Sequence, residues 1–401
     1  MAAPSTPAPL FPRRLAARLT ALVSLAWLAA CDVPTMPASG PGGGQRIDPG
    51  ATVQVALLVP GGDSSEMARI SSSLENSARM AISELDGARV DLNVYTTNRD
   101  PETAAAMANR AVRDGASIIL GPLDAQSAIS AGNAVAGANV NVLAFSNNPV
   151  VTETTGSNTF ILGRTFANTA QRLVSHTMRD GISDYAVVHQ DDIAGQTGRD
   201  AIASSVRASG GTVSTVQSYT FSQSGIFEAA PEIANAVRGS GAGAVFVTDT
   251  VQGGLSLMAT SMVDRGIDPA ETPFIGLTDW GVTGQAATLP PLQNGYFARP
   301  DASLAAQFEQ RYADAYGSPP HRLGALAHDG IAAIGSLVAS GDPEALTASS
   351  LTRRSGFVGA TGIFRLNPNG TNERALAVAR IQDNQVVVVD PAPNRFGIGG
   401  S

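Results

Sequence analysis

From Thr52 onward the chain alternates short apolar runs with stretches in which apolar residues recur every three or four positions. Val53 to Val59 reads as a strand, and the next segment sets Ile70, Leu74, Ala78, Ala81 and Leu85 along one helical face. Val90 to Tyr95, Ser117 to Leu120 and Val140 to Phe145 read as further strands, separated by helices near 101–114 and 124–137. The pattern restarts after Arg164. Helices 166–179, 194–208, 226–238 and 252–265 alternate with strands Tyr185 to His189, Val213 to Tyr219, Ala244 to Thr248 and Phe274 to Leu277. Near-continuous apolar strands separated by helices call for parallel pairing with both sheet faces covered, so the pattern predicts an α/β chain of two doubly wound parallel-sheet lobes.

The remaining C-terminal residues do not make a third unit. Helical runs 303–316 and 321–339 follow one another, and then Gly362 to Arg365, Ala375 to Gln382 and Val386 to Asp390 read as short strands joined by turns at Asn367–Gly370 and Asp383-Asn384. The economical arrangement returns the helices to the first lobe and the strands to the second, with three passages near 160–166, 296–300 and 345–357. The expected organisation is therefore lobe 1 over 52–163 and 299–345, lobe 2 over 164–298 and 346–392, and a disordered tail over 393–401.

The amino-terminal pattern is different. Arg13, Arg14 and Arg18 precede an apolar run from Leu19 to Ala30, too short to span a bilayer, which ends Leu28-Ala-Ala-Cys31. This is the order of an export signal ending in a lipobox, and it makes Cys31 the expected lipidation site and residues 1–30 the signal peptide. Cys31 is also the single cysteine, so the body has no intrachain disulfide to rely on. Residues 31–51 are rich in Pro and Gly and lack apolar periodicity, which predicts a tether.

Charge and residue usage narrow the chemistry. The 26 basic residues are all Arg against 34 acids, a net charge of -8, and the segment 1–30 carries three of those Arg and no acid. An acidic body is a poor nucleic-acid binder. Without a Lys the chain has no P-loop lysine, no Schiff base and no Ser-x-x-Lys pair. His176, His189, His321 and His328 lack metal-ligand spacing, no Gly-x-Ser-x-Gly elbow occurs, and Gly239–Ala244 precedes its strand, unlike a dinucleotide loop. The expectation is a non-catalytic protein without a cofactor or metal. In parallel sheets the chemistry lies where chains leave the carboxyl ends of strands. Here those residues include Gly121 and Ser127, Ser146 and Asn147, Asp191 and Asp192, Asp249, and Asp279.

Several stretches carry a family resemblance: Val55-Ala-Leu-Leu-Val-Pro60, Asp100-Pro101, Ser117-Ile-Ile-Leu-Gly-Pro122, Asp191-Asp-Ile-Ala-Gly195, Tyr316-Gly-Ser-Pro319 leading to Ala327–Ile331, and Phe357–Gly362. Over residues 52–390 the chain resembles the type I periplasmic binding-protein fold of the leucine/isoleucine/valine-binding family, and its phrasing is similar to that of the penicillin-binding-protein activator lipoproteins. The resemblance implies that Ser127 and Ser146 hold a ligand carboxylate, and that Asp192, Asp249 or Asp279 could hold an ammonium. The chain departs from the pattern in offering Asn147-Asn148 for Ser-Ala-Thr and Ile193 for an aromatic. It implies a lipid-anchored envelope protein that regulates a peptidoglycan synthase by contact. The alternative is the solute receptor of an ABC permease, with an amino acid or another small polar ligand in its cleft. Which membrane holds the anchor stays open.

Overall fold

Strand β1 (Val53–Val59) points Val53, Val55, Leu57 and Val59 into one core with Leu74, Ala78 and Ile331, and Ala56 and Leu58 into another with Ala108, Ala131 and Val142. Successive side chains of a strand point to opposite faces, so a strand apolar on both must be sandwiched between helices. The computed structural model, which describes Met1, residues 43–282 and residues 284–396, shows that sandwich. Cys31, the proposed lipidation site, and the export segment lie outside the described residues.

The first sheet is parallel throughout, in the order β2-β1-β3-β4-β5, with β2 (Val90–Thr96), β3 (Ile118–Leu120), β4 (Asn141–Ala144) and β5 (Thr159–Ile161). Helix α1 (Ser65–Ser83) covers one face, and α2 (Pro101–Arg113) and α3 (Ala125–Val135) the other. Asp100 and Asp124 start those two helices by accepting the N–H of Thr103 and Ser127. A short helix, α4 (Val150–Thr154), leads into β5.

The second sheet repeats this logic. It has the order β15-β14-β10-β9-β8-β6-β7, with β6 (Asp184–Gln190), β7 (Thr212–Tyr219), β8 (Ala244–Val247), β9 (Phe274–Gly276) and β10 (Tyr296–Arg299) parallel to one another. Ala186 and Val188 of β6 pack with α7 (Gln223–Ser240) and α8 (Leu255–Val263), while Tyr185 and Val187 pack with α5 (Phe166–Arg179) and α6 (Ile193–Ala208). Strands β14 (Ala377–Gln382) and β15 (Gln385–Asp390) complete the sheet in antiparallel fashion. The fold is thus α/β with two parallel-sheet lobes, as the hydrophobic pattern predicts.

The structure departs from the expected organisation at several places. Strands β5 and β10 occupy stretches expected to be bare passages. Residues 346–374, expected in the second lobe, belong to the first: Leu346, Leu351, Phe357, Phe364 and Leu366 share a core with Val55 and Ile334. Strands β11 (Phe357–Gly359), β12 (Gly362–Leu366) and β13 (Asn372–Arg374) form a separate antiparallel sheet, with the Phe357 and Phe364 rings 5.5 Å apart. Apolar burial decides the matter, because those two rings fit beside α10 (Gly324–Val338), and the chain reaches the second lobe only after Arg374. Helix α9 (Ala302–Tyr316) lies against α1, Tyr316 donating its hydroxyl to the Asn76 carbonyl at 2.9 Å.

Two expected loose segments are partly docked. In the tether, the Ile47 N–H donates to the Pro343 carbonyl at 2.9 Å and its side chain is buried, while the carbonyls of Gly43 and Gly44 accept from Asn141 and Asn139. In the tail, the Arg365 guanidinium carbon lies over the Phe396 ring, 4.7 Å from the ring centroid. One buried apolar side chain and a few paired carbonyls are enough to dock a segment that has no periodicity of its own.

The three passages between lobes lie against one another. Asn372 Nδ2 donates to the carbonyls of Ile161 (2.7 Å) and Gly163 (2.9 Å), and Arg374 Nε to that of Leu162 (2.9 Å), tying the third passage to the first. Arg299 stands opposite Ala377 in the β10–β14 ladder, which ties the second to the third.

Strand β15 is an edge strand held by charge. Asp390 accepts from Arg172, Arg179 and His176 of α5. Burial pushes its carboxyl upward, but the hydrogen bond and charge of Arg172, with Arg179 and His176, outweigh this and hold it below the ordinary aspartate range. A depressed carboxylate contributes stability that is present above its unfolded value and is lost as pH falls through its folded value. Asp390→Asn should therefore lower the unfolding midpoint at neutral pH by a few degrees, and the gap to wild type should close on acidification. A gap that is constant with pH would mean that the carboxylate charge is not what holds β15.

Candidate functional site

Gly121 leaves β3 with a φ of 86°, and a Cβ there would lie 2.3 Å from the Leu58 carbonyl oxygen, so only glycine lets the chain turn this close to β1. The turn aims Asp124 at the start of α3, where Asp124 Oδ1 accepts from the Ser127 N–H at 3.0 Å. Ser127 is fully buried, and its Oγ has no hydrogen-bond partner among the described residues. Ser146, after β4, is also buried and accepts the Asn148 N–H at 3.2 Å, whereas Asn147 beside it is exposed. The first-lobe rim therefore presents Asn147 outward and keeps both serines beneath the surface.

The second-lobe rim is built by the ends of β6, β7, β8 and β9. Asp192 starts α6 by accepting the Gly195 N–H at 2.7 Å, and Asp191 accepts the Thr220 hydroxyl at 2.9 Å; both carboxylates remain exposed. Apolar side chains stand free among them: Ile193 is 81% exposed, Phe221 54% and Val282 58%. Polar groups placed around exposed apolar side chains at strand ends are the makings of a small-molecule rim. Asp249 has a different role. It is buried and already accepts the Tyr219 hydroxyl (2.7 Å) and the N–H groups of Thr250 (2.6 Å) and Gly254 (2.7 Å). Burial and the Asp249 carboxylate together push the Tyr219 phenol up, so it stays a donor. Asp279 uses Oδ1 on the Gly281 N–H at 2.9 Å, with Oδ2 3.9 Å from Arg299 Nε.

The arrangement thus brings Asp191, Asp192 and Asn147 to the surface of the two rims and encloses Ser127, Ser146 and Asp249. Sequence reasoning passed over three arginines at the passages. Arg164, Arg299 and Arg374 follow or end β5, β10 and β13, and each has a buried side-chain nitrogen without a hydrogen-bond partner among the described residues. The available signal was position, one Arg at every point where the chain changes lobe. Two surface hollows, of about 240 and 270 Å³, lie elsewhere on the first lobe, around Glu84 and His328 and around Arg353 and Phe357. Neither is lined by the carboxyl end of a strand of the two parallel sheets, and the rims are the better site on chemical grounds.

With this geometry in place, the family follows. Residues 52–385 match the profile of the periplasmic binding protein family, and the chain belongs to it. Its fold is that of solved type I binding proteins. A branched-chain amino acid ABC transporter protein of Rhodospirillum rubrum has a TM-score of 0.71 at 16% identity, covering 84% of this chain and 100% of that one. An ABC transporter substrate-binding protein of Desulfitobacterium hafniense, solved with Leu, has a TM-score of 0.62 at 16% identity, covering 84% and 100%. A solute-binding protein of an ABC transporter from Rhodopseudomonas palustris, solved with 3,4-dihydroxybenzoic acid, has a TM-score of 0.58 at 16% identity, covering 86% and 97%. A comparison with curated proteins gave no match.

The saturation of Asp249 is testable. Tyr219→Phe removes one of its three donors and should cost about 1–3 kcal/mol in urea unfolding. A variant as stable as wild type would mean that the carboxylate has spare capacity and could serve a ligand.

Proposed function

We propose that this chain is the solute-binding subunit of an ABC importer, exported and lipid-anchored through Cys31, that captures a small carboxylate-bearing solute between its two lobes. The observation that carries the reading is the second-lobe rim, where Asp191, Asp192 and the exposed Ile193 leave β6 together at the position of the family's ligand turn. Family membership supports it, and so do the amino acid and the aromatic acid held by two proteins of the same fold. Those two solutes share a carboxylate and not an ammonium. In this chain the first lobe offers Asn147 and the nearby Ser127 and Ser146, and the second offers an apolar wall with acids at its edge. Ser127 and Ser146 contact the solute in this reading only if the rim opens to admit it. Asp249 serves as an internal brace, which leaves Asp191, Asp192 and Asp279 as partners for any ammonium.

No step of this function is catalytic. A binding subunit holds its solute by burial and hydrogen bonds and delivers it to a permease driven by separate ATP-hydrolysing subunits. Regulation of a peptidoglycan synthase, the reading suggested by the motif phrasing, has less support from the comparisons and serves as the competing outcome.

The test is a thermal-shift and calorimetric panel of amino acids, dicarboxylates, aromatic acids and peptidoglycan fragments. One carboxylate-bearing solute should bind and raise the unfolding midpoint by mass action, by roughly 3 kcal/mol at a hundredfold excess over its dissociation constant. Ile193→Asp should weaken that binding without changing the unliganded midpoint. A silent panel, together with co-purification of a peptidoglycan synthase whose activity the chain raises, would move the assignment to the regulator. Cys31→Ser should separately abolish acyl labelling and release the protein from the membrane fraction. Persistent membrane attachment without label would show that the apolar run is an uncleaved anchor.

A further inference from the structure

The chain passes between lobes after β5, after β10 and after β13, and each passage carries an arginine. Arg164 stands just before Thr165, which caps α5, and its Nη1 is buried without a hydrogen-bond partner among the described residues. Arg299 ends β10, and its buried Nε makes no hydrogen bond among the described residues, only a long ion pair with Asp279 Oδ2 at 3.9 Å. Arg374 ends β13 with a side chain only 8% exposed. Its Nε donates to the Leu162 carbonyl and its Nη1 to Asp329 Oδ2 at 2.8 Å, leaving Nη2 buried and without a partner. The exposed Arg322, at the start of α10, lies within electrostatic reach of Arg164, as do Arg299, Arg374 and Asp279.

Three hinge arginines and the exposed Arg322 therefore share two acids, of which Asp329 has both oxygens engaged and Asp279 keeps only Oδ2, 3.9 Å from Arg299. Asp329 is fully buried and spends Oδ1 on the Ala360 N–H and Oδ2 on Arg374. Asp279 spends Oδ1 on the Gly281 N–H. Like charges brought together out of water repel, and an unpaired buried donor costs stability. Consistent with this, burial and the neighbouring Arg374, Arg322 and Arg299 lower the Arg164 pKa from the ordinary guanidinium value, outweighing Asp279. The rest of the chain is acidic, so the hinge is a local reversal of its field.

We propose that the hinge is an anion seat, in which Arg164, Arg299 and Arg374 receive a carboxylate or a similar oxyanion. The guanidinium fork matches such a group, and an anion bound there would join all three passages at once. The seat rests on the solute-receptor reading and extends it: the solute carries two carboxylates, as an acidic amino acid or a short dicarboxylate does, and the second reaches the floor between the lobes. An anion that cross-links the passages favours whichever arrangement of the lobes brings them closest, which couples binding to hinge motion.

The experiment is isothermal calorimetry and thermal unfolding of the full chain with L-glutamate, succinate, L-leucine and inorganic phosphate at fixed ionic strength. L-glutamate or succinate should bind, and Arg164→Gln and Arg299→Gln should each weaken that binding by about tenfold or more. Unliganded, Arg164→Gln should be as stable as wild type or more so, since it removes a buried cation, and Arg299→Gln, which gives up only the long 3.9 Å contact with Asp279, should change stability little. Where Arg164→Gln does not fold, Arg299→Lys provides the comparison, keeping the charge and losing the fork. Phosphate binding alone, lost in the same variants, would support the seat with a free anion as its occupant. L-leucine binding that both variants leave unchanged, with no binding of the acids or of phosphate, would overturn the seat while the receptor reading stands. Binding of none of the four would also overturn the seat, and the wider solute panel then decides the receptor reading on its own.

Discussion

Everything that this protein can do depends on one constraint, that a single chain passes three times between two sheets and the passages lie side by side. The backbone carbonyls of Ile161, Leu162 and Gly163 are occupied by Asn372 and Arg374, more than 200 residues along the chain. Arg299 pairs with Ala377 in the β10–β14 ladder. Three short connections held by a few hydrogen bonds permit rotation of one lobe against the other more easily than they permit sliding or separation. Each lobe keeps its own sandwiched core, so the sheets can stay rigid while the passages absorb the motion.

The same constraint explains where the polar groups fall. Acids at the second-lobe rim divide into two kinds, Asp191 and Asp192 exposed at the mouth and Asp249 buried under three donors. A buried carboxylate with that many donors braces the β7–β8 ends and has little capacity left for a ligand. The arginines show the opposite imbalance, with donors exceeding acceptors where the lobes meet. In the proposed receptor, an acidic body with a cationic hinge would select among small solutes by charge as well as by shape.

Much of the fold was legible in the hydrophobic pattern, because β1 and β6 are apolar on both faces and α1 carries Ile70, Leu74, Ala78 and Ala81 at helical spacing. What the pattern could not convey were the shortest elements. Strand β5 is Thr-Phe-Ile and β13 is Asn-Glu-Arg, and unlike the equally short but wholly apolar β3 neither has a continuous apolar run to register, the latter having no apolar residue at all. Strand β13 exists because its backbone continues the ladder from β12. The first-lobe attachment of residues 346–374 was likewise hidden, since Phe357 and Phe364 name no partner until tertiary packing supplies α10. At the site, strand-end reasoning found the rims, but it could not tell an open side chain from an enclosed one. Ser127 and Asp249 leave strands as Asn147 and Asp191 do, and only the packing around them separates the two pairs. The arginines at the passages were visible as residues and lacked significance until the passages were seen to touch.

The central claim is that two rigid lobes close on a solute about these passages. The measurement that tests it most directly is a distance between the rims in solution. Cys31 is the only native thiol, so a Cys31→Ser chain with Gln126→Cys on the first-lobe rim and Gln223→Cys on the second can be spin-labelled at two sites alone. Pulsed electron resonance should give a broad inter-rim distance distribution without solute, and a shorter, narrower one when the bound solute saturates the protein. A distribution that is the same with and without a solute shown to bind would contradict the account and assign binding to a surface that does not move.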